Sequence, residues 1–251
     1  MCRHLVWLGT PRPISDFVTT PPHSLVVQSY AARELLRGNV CADGFGIAWY
    51  PDDESRPARY RRELPIWADP DLERFANVVR SHAIMAAVRN GTPGIPGGLA
   101  CVQPFAHERY LCSHNGFITR FSANARRLRA GLPDDLYAAL TGESDSETFF
   151  LLALQHIRDQ GDLAAGVEAA SAAVVRAAPG SAVCAVITDG HEIVAARIAD
   201  DQPCDSLYVR RDGDGITVAS EPLDTAGSWI AVPENSVTRM TADAPPPDGA
   251  S

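Results

Sequence analysis

The chain has 251 residues, 45% hydrophobic and 21% charged, with a formal net charge of −9. That is an ordinary globular composition, of a length that fits one large domain or two small ones, and the acidic balance argues against nonspecific nucleic-acid binding. No run approaches the ~20 apolar residues of a membrane span, and the N-terminus lacks an apolar core of signal length, so the expectation is a cytoplasmic protein with no membrane partner.

The chain opens on a short predicted strand, CRHLVWLG, bounded by Gly9 and the Pro11/Pro13 pair. SLVVQSYAARELL is ambiguous between strand, turn and helix. GFGIAWY reads as a strand, PDDESRP as a polar turn and ARYRRELPIWA as the returning strand. LERFANVVR has helical periodicity, and SHAIMAAVRN follows as a buried strand ending near Arg89. NGTPGIPGGL is a loop by its Gly and Pro content. ERYLCSHNGFI reads as two strands about a sharp turn at Asn115-Gly116. Phe150, Ala153, Leu154 and Ile157 then make one apolar helical face. A second helix over LAAGVEAASAAVVRAA ends before Pro179-Gly180. Two hairpins follow, turning at Asp189-Gly190 and around Asp212 to Gly215. Strands, then two helices, then strands again predict a layered α+β domain rather than alternating βαβ units. Residues 2–240 are expected to form a single domain, and 241–251, rich in Ala, Pro and Asp, a disordered tail.

Chemistry starts at Cys2. Removal of Met1 would give one residue both a thiol nucleophile and a free α-amine, whose ordinary pKa of roughly 7.7–8.0 lies near working pH. That amine can take the thiol's proton, directly or through a water. Alone, a cysteine after Met1 is a weak signal, and an inert thiol is the commoner outcome. Four segments strengthen it. Arg89 ends a strand in a Gly-rich loop, where its guanidinium can clamp a carboxylate, although a surface ion pair is the simpler role. Asn115 and Gly116 carry a side-chain amide and a backbone N–H suited to an oxyanion, although a plain hairpin turn would use the same residues. Ser144 and Asp145 precede the Phe-rich helix, so Ser144 can cap it while Asp145 binds an ammonium. Asp43-Gly44-Phe45-Gly46 reads as close packing beside the N-terminus. His114 is read as structural. The six cysteines show no CxxC spacing, and no metal or other cofactor is implied; Cys112 and Cys184 lie in apolar runs that suit core packing. Nucleophile, base, oxyanion donors, carboxylate clamp and ammonium clamp together suit hydrolysis of a γ-glutamyl amide.

Met1-Cys2, the Val88 to Thr92 loop, Ser113-His114-Asn115-Gly116 and Ser144-Asp145-Ser146-Glu147 occur in the order found in class II glutamine amidotransferases. The chain resembles that family over roughly residues 2 to 240. The resemblance implies an N-terminal-nucleophile hydrolase fold, a four-layer α/β/β/α sandwich. It implies Cys2 as nucleophile with its amine as base, Asn115 and Gly116 as the oxyanion hole, Arg89 on the glutamyl α-carboxylate with Thr92 shaping that pocket, and Asp145 on the α-ammonium. MCRHLVWLG, ADGFGIAWY, PIWAD, SHNG and ASEPLD look closer to one standalone branch, the γ-glutamyl-hercynylcysteine S-oxide hydrolases of ergothioneine biosynthesis. Asn90-Gly91-Thr92-Pro93 stands where many amidotransferases have Trp-Ala-Thr-His, and Cys41 stands where a small polar residue is expected.

Two other readings stay open. One is a glutaminase that supplies ammonia to a separate synthetase partner. The other is a non-catalytic γ-glutamyl or amino-acid binding module, which would retain Met1 or carry a blocked N-terminus. In each the ligand is a small molecule, and a homo-oligomer is compatible with all three.

Overall fold

The computed structural model describes residues 2–52, 54–91 and 97–242. In chain order the strands are β1 (Arg3–Pro13), β2 (Phe45–Trp49), β3 (Ala58–Arg62), β4 (Arg80–Val88), β5 (Phe105–His107), β6 (Tyr110–His114), β7 (Ala182–Thr188), β8 (Glu192–Ala199), β9 (Tyr208–Asp212), β10 (Gly215–Ala219), β11 (Ile230–Ala231) and β12 (Ser236–Thr241). The helices are α1 (Ser15–Val18), α2 (Leu25–Ala31), α3 (Leu72–Val78), α4 (Phe121–Arg129), α5 (Asp134–Ala138), α6 (Asp145–Gln160) and α7 (Leu163–Ala177).

The strands form two antiparallel sheets, ordered β11-β9-β10-β1-β4-β2-β3 and β12-β8-β7-β6-β5. Side chains alternate across a strand, and that alternation sorts them into three apolar layers. Val6, Leu8, Met85 and Val218 of the larger sheet meet Leu111, Val186 and Ala195 of the smaller between the sheets. Leu5, Trp7, Ile47 and Ile84 point the other way, onto Phe17 of α1, Leu25 of α2 and Ala76 of α3. Val183, Ala185 and Ile187 pack on α6 and α7. The result is the expected helix–sheet–sheet–helix sandwich. None of the helices among the described residues is long and apolar enough to cross a membrane.

Local departures from the predicted elements have physical causes. β1 runs on through Pro11 and Pro13, because its pairing with β10 ends at Gly9 and a bulge resets its register on β4 between Leu8 and Arg12. A proline needs no ladder partner where the strand has lost one neighbour. The ambiguous segment after His23 is helix α2, capped by Ser24, whose side chain accepts from the Val27 N–H. The strand predicted over ARYRRELPIWA stops at Arg62, and Ile66–Ala68 is a single 3-10 turn. α4 and α5 stand between β6 and α6, where no helix is expected from the sequence.

Asn115-Gly116 is no hairpin. The chain runs straight on beside β7, with the Asn115 N–H donating to Cys184 O at 2.7 Å and the Phe117 N–H to Ala182 O at 2.9 Å. Strand β12 includes Thr241, the first residue of the predicted tail, while 243–251 lie outside the described residues.

Candidate active site

β1 is a central strand, and its first residue pairs with the last of β4, Arg3 against Val88. Cys2 therefore enters beside the chain leaving β4, at the floor of a cavity of about 760 Å³ shared with Arg89, Asn115, Gly116 and Asp145. Burial pushes the Cys2 thiol above its ordinary pKa, while the Asn90 backbone N–H and the guanidiniums of Arg89 and Arg3 favour the thiolate.

Asn115 comes from the facing sheet. The Gln103 side chain grips the strand before it, donating to His114 O at 2.8 Å and accepting from the His114 N–H at 2.7 Å and the Ser113 hydroxyl at 2.9 Å. Held this way, Asn115 Oδ1 accepts from the Cys2 nitrogen at 2.9 Å. Its Nδ2 is buried and makes no hydrogen bond among the described residues. A stranded buried donor costs about 1–3 kcal/mol and calls for an explanation such as a ligand it awaits. Gly116 follows because nothing larger fits: a Cβ there would sit 2.1 Å from Ala182 O and 2.7 Å from His114 Nε2. Close approach to β7, rather than room for a ligand, accounts for this glycine.

Arg89 continues β4. Its N–H donates to Gly44 O at 2.8 Å, and its carbonyl accepts from the Asp43 N–H at 3.0 Å. Asp43 Oδ2 then accepts from the Gly91 N–H at 2.7 Å, fixing the chain past the guanidinium. Asp43 thus has a distinct role that sequence reasoning missed. The DGFG glycines pack elsewhere than beside the N-terminus: a Cβ on Gly46 would lie 2.2 Å from Gln103 O, and β4 separates β2 from β1.

Ser144 caps α6 by accepting from the Glu147 N–H at 3.1 Å, which leaves Asp145 for the cavity. Its Oδ2 accepts from the Ile118 N–H at 3.0 Å and its Oδ1 from the Ser146 N–H at 2.9 Å. A carboxylate retains further lone pairs for an ammonium. The structure thus gathers Cys2, Arg89, Asn115, Gly116 and Asp145 at one cavity, while Thr92 lies outside the described residues.

A buried charged cluster beneath Cys2 was also missed. Arg3 is fully buried, pairs with Asp205 at 2.7 Å and Glu221 at 3.2 Å, and donates to the Cys2 carbonyl at 2.8 Å. Glu221 also lies 2.7 Å from His23 Nε2 and accepts from the backbone of Arg33 and Glu34. These donors, with the Arg3 guanidinium, hold its carboxyl below the usual range against the opposing effect of burial. The available signal was an arginine in register with the inward-facing Leu5 and Trp7. Cys41 is buried nearby, its thiol pushed up to about 12 by burial and the neighbouring Cys2.

His114 also lines the cavity: its Nδ1 lies 3.0 Å from Ser146 Oγ, its ring stacks on Phe149, and burial lowers its pKa. Cys112 and Cys184 are buried in the core. Among the described residues no group of three or more His, Cys, Asp and Glu side chains could hold a metal ion.

Residues 20–212 match the family described as class II glutamine amidotransferases. The chain is 34% identical over 234 residues to the gamma-glutamyl-hercynylcysteine sulfoxide hydrolase of Mycolicibacterium smegmatis, covering 93% of each chain. Identity to the protein of that name from Mycobacterium tuberculosis is 33% over 244 residues, 96% of this chain and 93% of that one. Among solved structures, a glutamine aminotransferase class-II domain protein from Silicibacter pomeroyi superposes with a TM-score of 0.72 at 28% identity, covering 96% of this chain and 95% of that one.

Proposed function

We propose that this chain, which belongs to the class II glutamine amidotransferase family, hydrolyses the γ-glutamyl amide bond of γ-glutamyl-hercynylcysteine S-oxide, releasing glutamate and hercynylcysteine S-oxide. The observation that carries the chemistry is Asn115, one end of whose amide bonds the Cys2 nitrogen while the other is a buried, unused donor. The two named relatives carry the substrate.

In this mechanism Met1 is removed and the Cys2 amine takes the proton of its own thiol. The thiolate attacks the γ-carbonyl carbon. Asn115 Nδ2 and the Gly116 N–H receive the oxyanion, a preorganised arrangement that needs no rearrangement as charge develops. The amine then protonates the departing nitrogen, leaving a γ-glutamyl thioester on Cys2. Water, deprotonated by the same amine, attacks the thioester and frees glutamate. Arg89 binds the glutamyl α-carboxylate and Asp145 its ammonium, so that the γ-carbonyl reaches Cys2. The described cysteines are all free thiols, which fits a reducing, cytoplasmic setting.

Glutamate release from γ-glutamyl-hercynylcysteine S-oxide and from glutamine, measured side by side, tests this reading. Strong preference for the conjugate is expected, and Cys2→Ala should abolish turnover without loss of fold. Preference for glutamine would instead indicate ammonia supply to a synthetase. Retained activity in Cys2→Ala would sink the mechanism. Intact mass should show the loss of Met1; its retention would remove the base and leave a binding module.

A further inference from the structure

Three arginines line the cavity, and the glutamyl group needs only one. Arg89 leaves β4, on one side of the central strand β1, and β10 flanks β1 on the other. Arg37 belongs to that second side. Its Nη2 donates to Gln202 Oε1 at 3.1 Å, three residues before the Asp205 that pairs with Arg3. Its guanidinium carbon stands 4.5 Å over the ring of Phe117, which lines the cavity just past Gly116.

Arg120 lies on the same wall as Phe117. It is exposed, and its guanidinium makes no hydrogen bond or ion pair among the described residues. Its backbone is left-handed, φ 51 and ψ 45, a region that non-glycine residues rarely occupy. The conformation is held by the Ala123 N–H at 2.9 Å and the Asn124 side chain at 3.3 Å, both donating to Arg120 O. Strained backbone kept at a cavity mouth is a recurrent feature of ligand clamps. Among the described lining residues Asp145 is the one carboxylate, already held by two N–H donors.

We propose that Arg120, assisted by Arg37, binds the carboxylate of the departing amine, so that the enzyme selects γ-glutamyl amides of α-amino acids over glutamine. The proposal rests on the hydrolase reading above. An α-amino acid acylated on its nitrogen carries a carboxylate one carbon from the scissile bond. Ammonia, the amine that glutamine releases, has nothing for these cations to hold. A guanidinium meets a carboxylate through two parallel N–H donors, and Phe117 sets the plane of Arg37.

The test compares γ-glutamyl-S-methylcysteine S-oxide with the same compound bearing a carboxamide in place of the cysteinyl carboxylate. Wild type should prefer the acid. In Arg120→Gln and Arg37→Gln the acid-to-carboxamide ratio of kcat/KM should fall roughly tenfold to a hundredfold, chiefly through KM, as loss of a charged hydrogen bond implies. A ratio that stays constant in both variants, or a wild type indifferent to the carboxylate, overturns the proposal and leaves the hydrolase reading standing. Failure of wild type to cleave any γ-glutamyl amide overturns that reading instead. Calorimetric binding of both compounds to Cys2→Ala, with and without Arg120→Gln, then decides the mouth without turnover. Loss of acid preference on removing Arg120 supports the proposal, and unchanged preference sinks it.

Discussion

At Cys2 two demands oppose each other. A nucleophile at the floor of a cavity loses hydration, which favours the thiol, whereas attack needs the thiolate. The Asn90 N–H and the guanidiniums of Arg89 and Arg3 lean the other way. Asn115 serves the next step, so Asn115→Ala should lower kcat about 100- to 1,000-fold, with the fold retained by circular dichroism; a loss below tenfold would remove Asn115 from the oxyanion hole. Cys2, Arg89, Asn115 and Asp145 were legible because each stands in a short local pattern. Asp43 and Gln103 were not, because a lone polar residue acquires its role only from a partner. Asp43 meets Gly91, and Gln103 meets His114 across the neighbouring strand.

Among the helices, α6 and α7 pack most closely. Gly166 of α7 lies so close to α6 that a Cβ would sit 2.5 Å from the Ile157 backbone. Gly166→Ala should therefore force the helices apart and destabilise the protein by about 1–3 kcal/mol. Gly131→Ala, where nothing lies within 4 Å, should be neutral or stabilise by about 0.4–1 kcal/mol. Paired urea denaturation curves check both; equal midpoints would mean that the helix contact yields freely.

The single apolar face read for α6 understates its burial. Residues 149–154 are all buried, because α6 is enclosed by its sheet and by neighbouring helices. Helix α4 escaped notice for the opposite reason. It is short and polar: only Phe121 and Leu128 are buried, and Arg126, Arg127 and Arg129 dominate its last turn, so it offers few apolar residues to read. The Asn115-Gly116 turn was misread because the local dipeptide preference yields to three ladder bonds with β7.

At the scale of the whole molecule, buried ionisable groups tie distant segments together. Arg3 joins the first strand to Asp205 and Glu221, more than 200 residues away. Arg3→Met leaves two buried carboxylates without their cation and should cost about 3–5 kcal/mol, read as a lower urea midpoint; an unchanged midpoint would show that other donors suffice.

His4 sets a pH dependence. Burial, with Arg3 and His114 adding to it, lowers its pKa from 6.5 to about 3. Between those values the unfolded chain binds a proton that the folded protein does not, so stability rises with pH across that interval. The contribution is complete above pH 6.5 and is lost as pH falls toward 3. The slope approaches about 1.4 kcal/mol per pH unit for one such histidine, and His114 acts in the same direction. Unfolding free energies at pH 7, 6 and 5 should fall in that order, less steeply in His4→Gln; an equal slope in that variant would clear His4.

The sequence by itself determined the strand alternation, the two long helices, the late hairpins and the residues with local signatures of chemistry. These depend on spacings of two to four residues, and short-range physics suffices for them. Only the tertiary structure decided that Cys2 faces Asn115, that one donor of Asn115 is left unused, and that Arg3 is neutralised from the far end of the chain. Those outcomes depend on which strand lies beside which and on two sheets meeting face to face. Long-range pairing fixes them through burial and charge compensation, which no local pattern encodes.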